Sequence, residues 1–173
     1  MTTIHVSHSI EEAFSVGDRA AVLHDGRLVQ AAPLTQLLRR PATEFVARFF
    51  RSENLIDAIA TPLPDGGAEL AFAGHTLRTE GNHEGAVTFV IRPEALEVHP
   101  ADARAPNGIP AVLKQVSDRG PYRRLEFDAG VSIVAYTTAR ADFVGSSAGQ
   151  PYIVAFPPDA LHILPSPGLS RPA

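Results

Sequence analysis

Ala111-Val-Leu-Lys-Gln-Val116, Tyr122-Arg-Arg-Leu-Glu-Phe127 and Val131-Ser-Ile-Val-Ala-Tyr136 decide the fold class. Each stretch mixes apolar and polar residues at a period near two, and each is bounded by Gly, Pro or Asp. That is the pattern of short half-buried strands separated by turns. The pattern extends in both directions. Upstream, Ile56 to Ala60, Glu69 to Phe72, Thr76 to Arg78 and Val87 to Ile91 read as strands, with turns at Asp65-Gly66-Gly67 and Gly81-Asn82. Downstream, Tyr152 to Phe156 and Leu161 to Leu164 follow. The segment Ala101 to Pro110 reads as a break between two strand sets. So many short strands predict a small barrel or sandwich. No exact repeat is found, and the two sets fit either two halves of one barrel or two smaller barrels.

The first fifty residues read differently. Thr3 to Ser7 is apolar enough for a strand. Ser9 with Glu12 three residues on makes a capping-box pattern, Glu11 and Glu12 favour the first helical turn, and Gly17 stops the helix. Ala20 to Leu23 reads as a strand, Asp25-Gly26 as a two-residue hairpin turn, and Leu28 to Gln30 as the return strand. Pro33 suits a helix start ahead of Leu34, Leu37 and Leu38. Pro41 opens a further helix that sets Phe45, Val46, Phe49 and Phe50 on one face. The fold class read from the pattern is therefore an α/β segment followed by an all-β small barrel.

Composition excludes several classes. The chain has 173 residues, 45% of them hydrophobic and 20% charged, with a formal net charge of -4. Such a balance suits a folded globular chain, and its slight acidity argues against broad nucleic-acid binding. The absence of Cys rules out disulfides, a thiolate metal site and a cysteine nucleophile within this sequence. The first residues lack the basic and apolar runs of a signal peptide, and no apolar run is long enough to span a membrane. Fifteen Pro and thirteen Gly speak for turns rather than long helices.

Several motifs, in order, carry a resemblance. Ile4-His-Val-Ser-His-Ser-Ile-Glu-Glu-Ala13, then Gly17-Asp-Arg-Ala-Ala-Val-Leu-His-Asp-Gly-Arg-Leu-Val-Gln30, then Arg40-Pro-Ala-Thr-Glu-Phe-Val-Ala-Arg-Phe49 resemble the end of an ABC transporter ATPase domain. Asn54-Leu55, Ile91-Arg92-Pro93-Glu94 and Phe156-Pro157-Pro158-Asp159-Ala160-Leu161-His162 resemble the regulatory barrel, called a TOBE domain, that follows it in importer ATPases. The resemblance covers nearly the whole chain. It implies residues 1–53 as the C-terminal edge of the nucleotide-binding domain, 54–165 as an OB-like TOBE or molybdate-binding type barrel, and 166–173 as a flexible tail.

The resemblance also implies function: an ATP-hydrolysing importer subunit at the inner face of the plasma membrane, with ATP and Mg in the intact protein. Its implied partners are a second ATPase subunit and membrane permease subunits. By motif position His8 is the switch histidine that faces the γ-phosphate and attacking water. Imidazole can bond a phosphate oxygen and orient water near neutral pH. The family's phosphate loop, G-x-x-x-x-G-K-[ST], is absent. The single lysine, Lys114, follows Leu113 in an apolar-polar run. The Leu-Ser-Gly-Gly-Gln signature and the magnesium-binding aspartate strand are absent too. The chain thus resembles the last third to half of such a subunit, and alone is expected to be inactive with no bound cofactor.

Within the family, Asn107-Gly108 through Ala111-Val116 to Thr137-Thr138-Ala139-Arg140 resembles the molybdate/tungstate-importer barrel. That makes Thr137, Thr138 and Arg140 candidates for an oxyanion, although the usual Ser-Ala-Arg-Asn opening stands only as Asp102-Ala-Arg-Ala-Pro-Asn107. The alternative is a free-standing solute- or oxyanion-binding β-module. His5, Glu12 and His8 have a metal-like spacing. On a strand, however, the two histidines would face opposite sides, so no metal site is expected and His5 reads as packing. His24 reads as an exposed turn residue, and Arg39-Arg40 and Arg123-Arg124 as solvated pairs.

Overall fold

A computed structural model describes residues 3–138 and 147–164. The chain divides into two compact units, Met1–Arg51 and Ser52–Ala173.

In the first unit, α1 (Ile10–Val16) is capped by Ser9, whose side chain accepts from the Glu12 N–H, and ends at Gly17. β1 (Arg19–His24) and β2 (Arg27–Pro33) form an antiparallel hairpin. Its turn residues Asp25 and Gly26 have φ of 49° and 72°, the left-handed pair that a two-residue turn of this hand requires. α2 (Leu34–Arg39) and α3 (Glu44–Phe49) follow. Val22, Ala32, Leu37, Val46 and Phe50 make a small core. Three readings are corrected. Thr3 to Ser7 is not a strand: it has no partner strand among the described residues, and Ile4 and Val6 are 90% and 92% exposed. Pro41 does not open α3; Thr43 does, its hydroxyl accepting from the Val46 N–H. Phe49 does not share the buried face of Val46 and Phe50, because it is largely exposed.

The second unit is all β. One sheet has the order β12-β6-β3-β4-β5, the other β10-β9-β8-β11-β7. The first contains β3 (Asn54–Pro62), β4 (Ala68–Phe72), β5 (His75–Thr79), β6 (Gly85–Ile91) and β12 (His162–Ile163). The second contains β7 (Glu97–Pro100), β8 (Gly108–Asp118), β9 (Tyr122–Asp128), β10 (Ser132–Thr138) and β11 (Pro151–Ala155). Both bury alternate residues in one apolar core, where Phe72, Phe89 and Phe156 meet edge to face. The two strand sets are therefore two halves of one barrel-like body. The predicted break covered the start of β8, and β7, just before it, was not among the strands read from the sequence.

The halves are equivalent. β3-β4-β5-β6 corresponds to β8-β9-β10-β11, and each sheet is completed by the last strand of the other half, β12 or β7. Ile91-Arg-Pro-Glu-Ala-Leu96 corresponds to Phe156-Pro-Pro-Asp-Ala-Leu161, each holding a 3-10 turn (Pro93–Ala95 and Pro158–Ala160). The tips of hairpins β4-β5 and β9-β10 meet: a Cβ on Gly130 would lie 3.2 Å from that of Ala73. One irregularity breaks the equivalence. The β8-β9 register shifts between Leu113 and Gln115, so Lys114 bulges out and pairs with Asp128 at 3.1 Å.

Candidate functional site

The N-terminal segment carries the first candidate. His8 precedes the capping residue of α1 and is exposed. Beside it, Glu12 accepts from the Ser7 hydroxyl, and its Oε1 lies 3.1 Å from His5 Nε2. Those bonds hold the Glu12 carboxyl below the usual carboxylate range, Ser7 contributing most and His5 next. The capping box is thus half formed: Ser9 caps, but Glu12 turns to Ser7 and His5. His5 is half-exposed and in contact with Glu12 rather than packed. Among the described residues no group of three His, Cys, Asp or Glu could hold a metal ion. His24 is not simply exposed, since its ring stacks on Phe45 at 3.9 Å.

The second candidate lies at the end of β10. Strand alternation separates the two threonines. Thr137 shares the side of core residues Ile133 and Ala135, is half-buried, and stands opposite Arg123. Thr138 shares the side of Tyr136, is exposed, and stands opposite Tyr122. The two hydroxyls therefore do not converge. Arg140 lies outside the described residues.

Next to Thr138 is a network that sequence reasoning missed. Arg124 donates to Glu53 from Nε at 2.8 Å and lies 2.7 Å from it through Nη2, and Nη1 donates to Glu126 at 2.9 Å. The Tyr136 hydroxyl donates to Glu53, and its ring lies 4.5 Å from that of Tyr122. Burial works to raise the Glu53 pKa, but the Arg124 and Tyr136 bonds outweigh it and hold the carboxyl below its ordinary value. Burial, then the Glu53 contact, pushes the Tyr136 phenol upward. Arg124 is thus no solvated pair with Arg123. Glu53 is 71 residues away in sequence, so only the fold joins them.

Two asparagines close the sheet edges. Asn54 is 1% exposed; its Nδ2 donates to the Val134 carbonyl at 2.8 Å, and its Oδ1 accepts from the Val134 N–H at 2.7 Å. Asn107 does the same to Arg78, accepting at 2.8 Å and donating at 2.7 Å. Each also donates to a carbonyl of its own half's frame, Ile91 at 3.3 Å or Phe156 at 3.0 Å. In both cases a side-chain amide supplies the donor and acceptor that a missing neighbour strand would offer. Asn107, the residue that resembled the end of the oxyanion opening, has its amide engaged in this way.

Comparison with known proteins gives the setting. Residues 89–164 match the TOBE domain family. The chain is 33% identical over 167 residues to the molybdate/tungstate import ATP-binding protein WtpC of Pyrococcus abyssi, covering 94% of this chain and 47% of that protein. It is 38% identical over 125 residues to the spermidine/putrescine import ATP-binding protein PotA of Methylococcus capsulatus (69% of this chain, 32% of that one). It is 36% identical over 127 residues to the sulfate/thiosulfate import ATP-binding protein CysA 2 of Chromobacterium violaceum (72% and 34%). The chain spans about half the length, or less, of these curated relatives. Among solved structures, the cytoplasmic molybdate-binding protein ModG, with molybdate bound, superposes with a TM-score of 0.55 at 13% identity (66% of this chain, 98% of that chain). That likeness is one of fold. Among the described residues no helix is long and apolar enough to cross a membrane.

Proposed function

We propose that the chain serves as the C-terminal part of an ATP-hydrolysing ABC importer subunit, a reading supported by the match of residues 89–164 to the TOBE domain family and by the alignment with importer ATP-binding proteins. The observation that carries the reading is continuity: one alignment with an importer ATP-binding protein runs through 94% of the chain, across both units. In this reading residues 1–53 are the edge of the nucleotide-binding domain, and residues 54–165 are the regulatory barrel. The subunit acts at the inner face of the membrane with a second ATPase copy and permease subunits.

Only one step of the chemistry falls to this chain. His8 is the switch histidine, whose imidazole bonds the transferring phosphoryl group and orients the attacking water. The residues present do not fit a nucleotide–magnesium site. The sequence holds no phosphate loop, and the described residues hold no cluster that could take a metal ion. Those parts come from elsewhere in the intact subunit. The test is a chimera that joins this chain to the N-terminal half of the Pyrococcus abyssi relative. Mg-ATP hydrolysis should appear and fall by about two orders of magnitude in His8→Ala, comparable to losing one positioned catalytic group. Hydrolysis indifferent to His8→Ala would reject the assignment.

Within that reading the transported solute is an oxyanion of the molybdate class. The molybdate/tungstate relative gives the longest of the alignments described, and Thr138 and Arg140 offer a hydroxyl and a charge-assisted donor. Calorimetry on the folded chain should show heat with molybdate or tungstate that weakens in Thr138→Val, and little with phosphate. Silence with both metal oxyanions would leave the barrel a structural and dimer-forming part.

A further inference from the structure

We propose that Asn107 is a modification site held in check by the fold: its side-chain amide converts to a carboxylate through attack by the Gly108 nitrogen, and the conversion permanently releases the clasp on β5. The sequence supplies the reactive pair. An asparagine followed by glycine cyclises more readily than one followed by a residue with a side chain, because nothing hinders the approach of the next nitrogen. Of the three asparagines, Asn54 precedes Leu55, Asn82 precedes His83, and only Asn107 precedes glycine.

The fold demands both members of the pair. Asn107 has a φ of 50°, in the left-handed region that Asn tolerates better than most residues, and its amide closes the edge of β5. A Cβ on Gly108 would lie 2.7 Å from Ile153 Cγ2 and 2.9 Å from the Ala105 carbonyl oxygen, so a side chain there does not fit. The same closure restrains the reaction. Cyclisation needs the amide to fold back over its own main chain. Instead it reaches across to the Arg78 N–H at 2.8 Å, the Arg78 carbonyl at 2.7 Å and the Phe156 carbonyl at 3.0 Å. The attacking nitrogen is engaged as well, donating to the Ala105 carbonyl at 3.0 Å, and the Phe156 N–H donates to the Asn107 main-chain carbonyl at 3.1 Å. Asn107 is only half-buried, so these bonds, rather than exclusion of water, stand in the way. Reaction waits for a local opening.

The chemistry balances with water as the only co-reactant. The Gly108 nitrogen forms a bond to Asn107 Cγ, the Cγ–Nδ2 bond breaks, and Nδ2 leaves as ammonia with the proton from Gly108. Water then opens the cyclic imide at one of its two carbonyls, giving aspartate or isoaspartate. Either product carries oxygen where Nδ2 donated. The Arg78 and Phe156 carbonyls, both acceptors, then face a carboxylate that has no hydrogen to offer. Isoaspartate also lengthens the main chain by one carbon just before Gly108, where there is no room to spare. The clasp cannot re-form, while the one at Asn54 is untouched.

The test follows conversion of Asn107 by peptide mapping with mass spectrometry, in native buffer and in guanidinium chloride at the same pH and temperature. The native chain should convert at most about one tenth as fast as the unfolded one. Equal rates overturn the proposal. Arg78→Pro removes the N–H that Asn107 Oδ1 accepts. It costs no ladder bond, because β5 is an edge strand whose Arg78 N–H and carbonyl point away from β4. This variant should convert severalfold faster than the wild type in native buffer. Arg78→Ala keeps the N–H and loses only the ion pair with Asp65, so it should convert at the wild-type rate. Equal rates in the two variants overturn the proposal. A further measurement needs no variant. Converted chain carries one more negative charge, separates by anion exchange, and should unfold at a lower urea midpoint than unconverted chain. An unchanged midpoint means that the clasp survives conversion, which overturns its release.

Discussion

Replacing Asn54 by alanine removes a clasp that water cannot replace. Asn54 is 1% exposed and Val134 is 5% exposed, so the Val134 N–H and carbonyl that it satisfies lose both partners in a dry place. A buried orphaned polar group costs about 1–3 kcal/mol, and two groups on one residue together cost about 3 kcal/mol. Asn107→Ala severs the equivalent pair on Arg78, but there both residues are partly or fully exposed and water re-forms those bonds, leaving the lost bond to the Phe156 carbonyl and the left-handed φ of 50° as the cost. Its cost should be nearer 1 kcal/mol. The assay is built into the composition. The chain has no Trp, and its three Tyr all lie in the β unit, so tyrosine fluorescence follows that unit alone through a urea titration. With a slope of about 2 kcal/mol per molar, Asn54→Ala should lower the midpoint by about 1.5 M and Asn107→Ala by about 0.5 M. Equal shifts, or a shift below about 0.5 M for Asn54→Ala, would refute the idea that burial decides the worth of these amides.

Other outcomes can be checked with the same protein. The purified chain with magnesium and ATP should release no phosphate; turnover that persists through purification and disappears in His8→Ala would contradict the reading of His8 as one part of a larger site. Because the folded pKa of Glu53 is depressed, its stabilising effect is complete above the ordinary carboxylate value of about 4.3 and is lost as pH falls through the lower folded value. Acidification through that window should therefore lower the urea midpoint of the wild type more than that of Glu53→Gln, and parallel curves would rule this out. Amide exchange should be slow at residues 89–91, 125–127 and 153–155, within paired strands, and fast at residues 4–8, which lack ladder bonds.

The strands were legible because their apolar residues alternate and Asp-Gly or Gly-Gly mark several turns. Where the turn was Ala73-Gly74 the punctuation was weak: Ala73 adopts φ of 45°, a conformation its own sequence does not advertise. The strand β7 was hidden because it is only four residues long and ends on Pro100, directly before the stretch that read as a break. Thr3 to Ser7 failed in the opposite sense. Its apolar residues suit a strand, but a strand forms only against a neighbour. The candidate site divides in the same way. His8 and the threonines stood out through local motifs, whereas Glu53, Arg124 and Tyr136 are ordinary residues whose meaning is their meeting. The asparagine clasps had a sequence trace, since Asn54 begins β3 and Asn107 directly precedes β8, the first strands of the two halves. Their function needed the edge strands they face.

The bulge in β8 also makes the chain a recorder of its own opening. Lys114 is the only lysine, and its side chain is 57% exposed, while β8 pairs with β9 on both sides of it and with β11 only before it, from Gly108 to Val112. A lysine-specific endoprotease therefore has one internal peptide bond to cut, and that bond is followed by residues paired with β9. Proteases need several residues of unpaired, extended chain, so cleavage after Lys114 must wait until β8 leaves β9. The side-chain amine, by contrast, is open to acylating reagents while the sheet is closed. One residue thus yields two clocks: a fast labelling reaction that counts native molecules, and a slow cut whose rate measures how often the middle of the barrel comes apart.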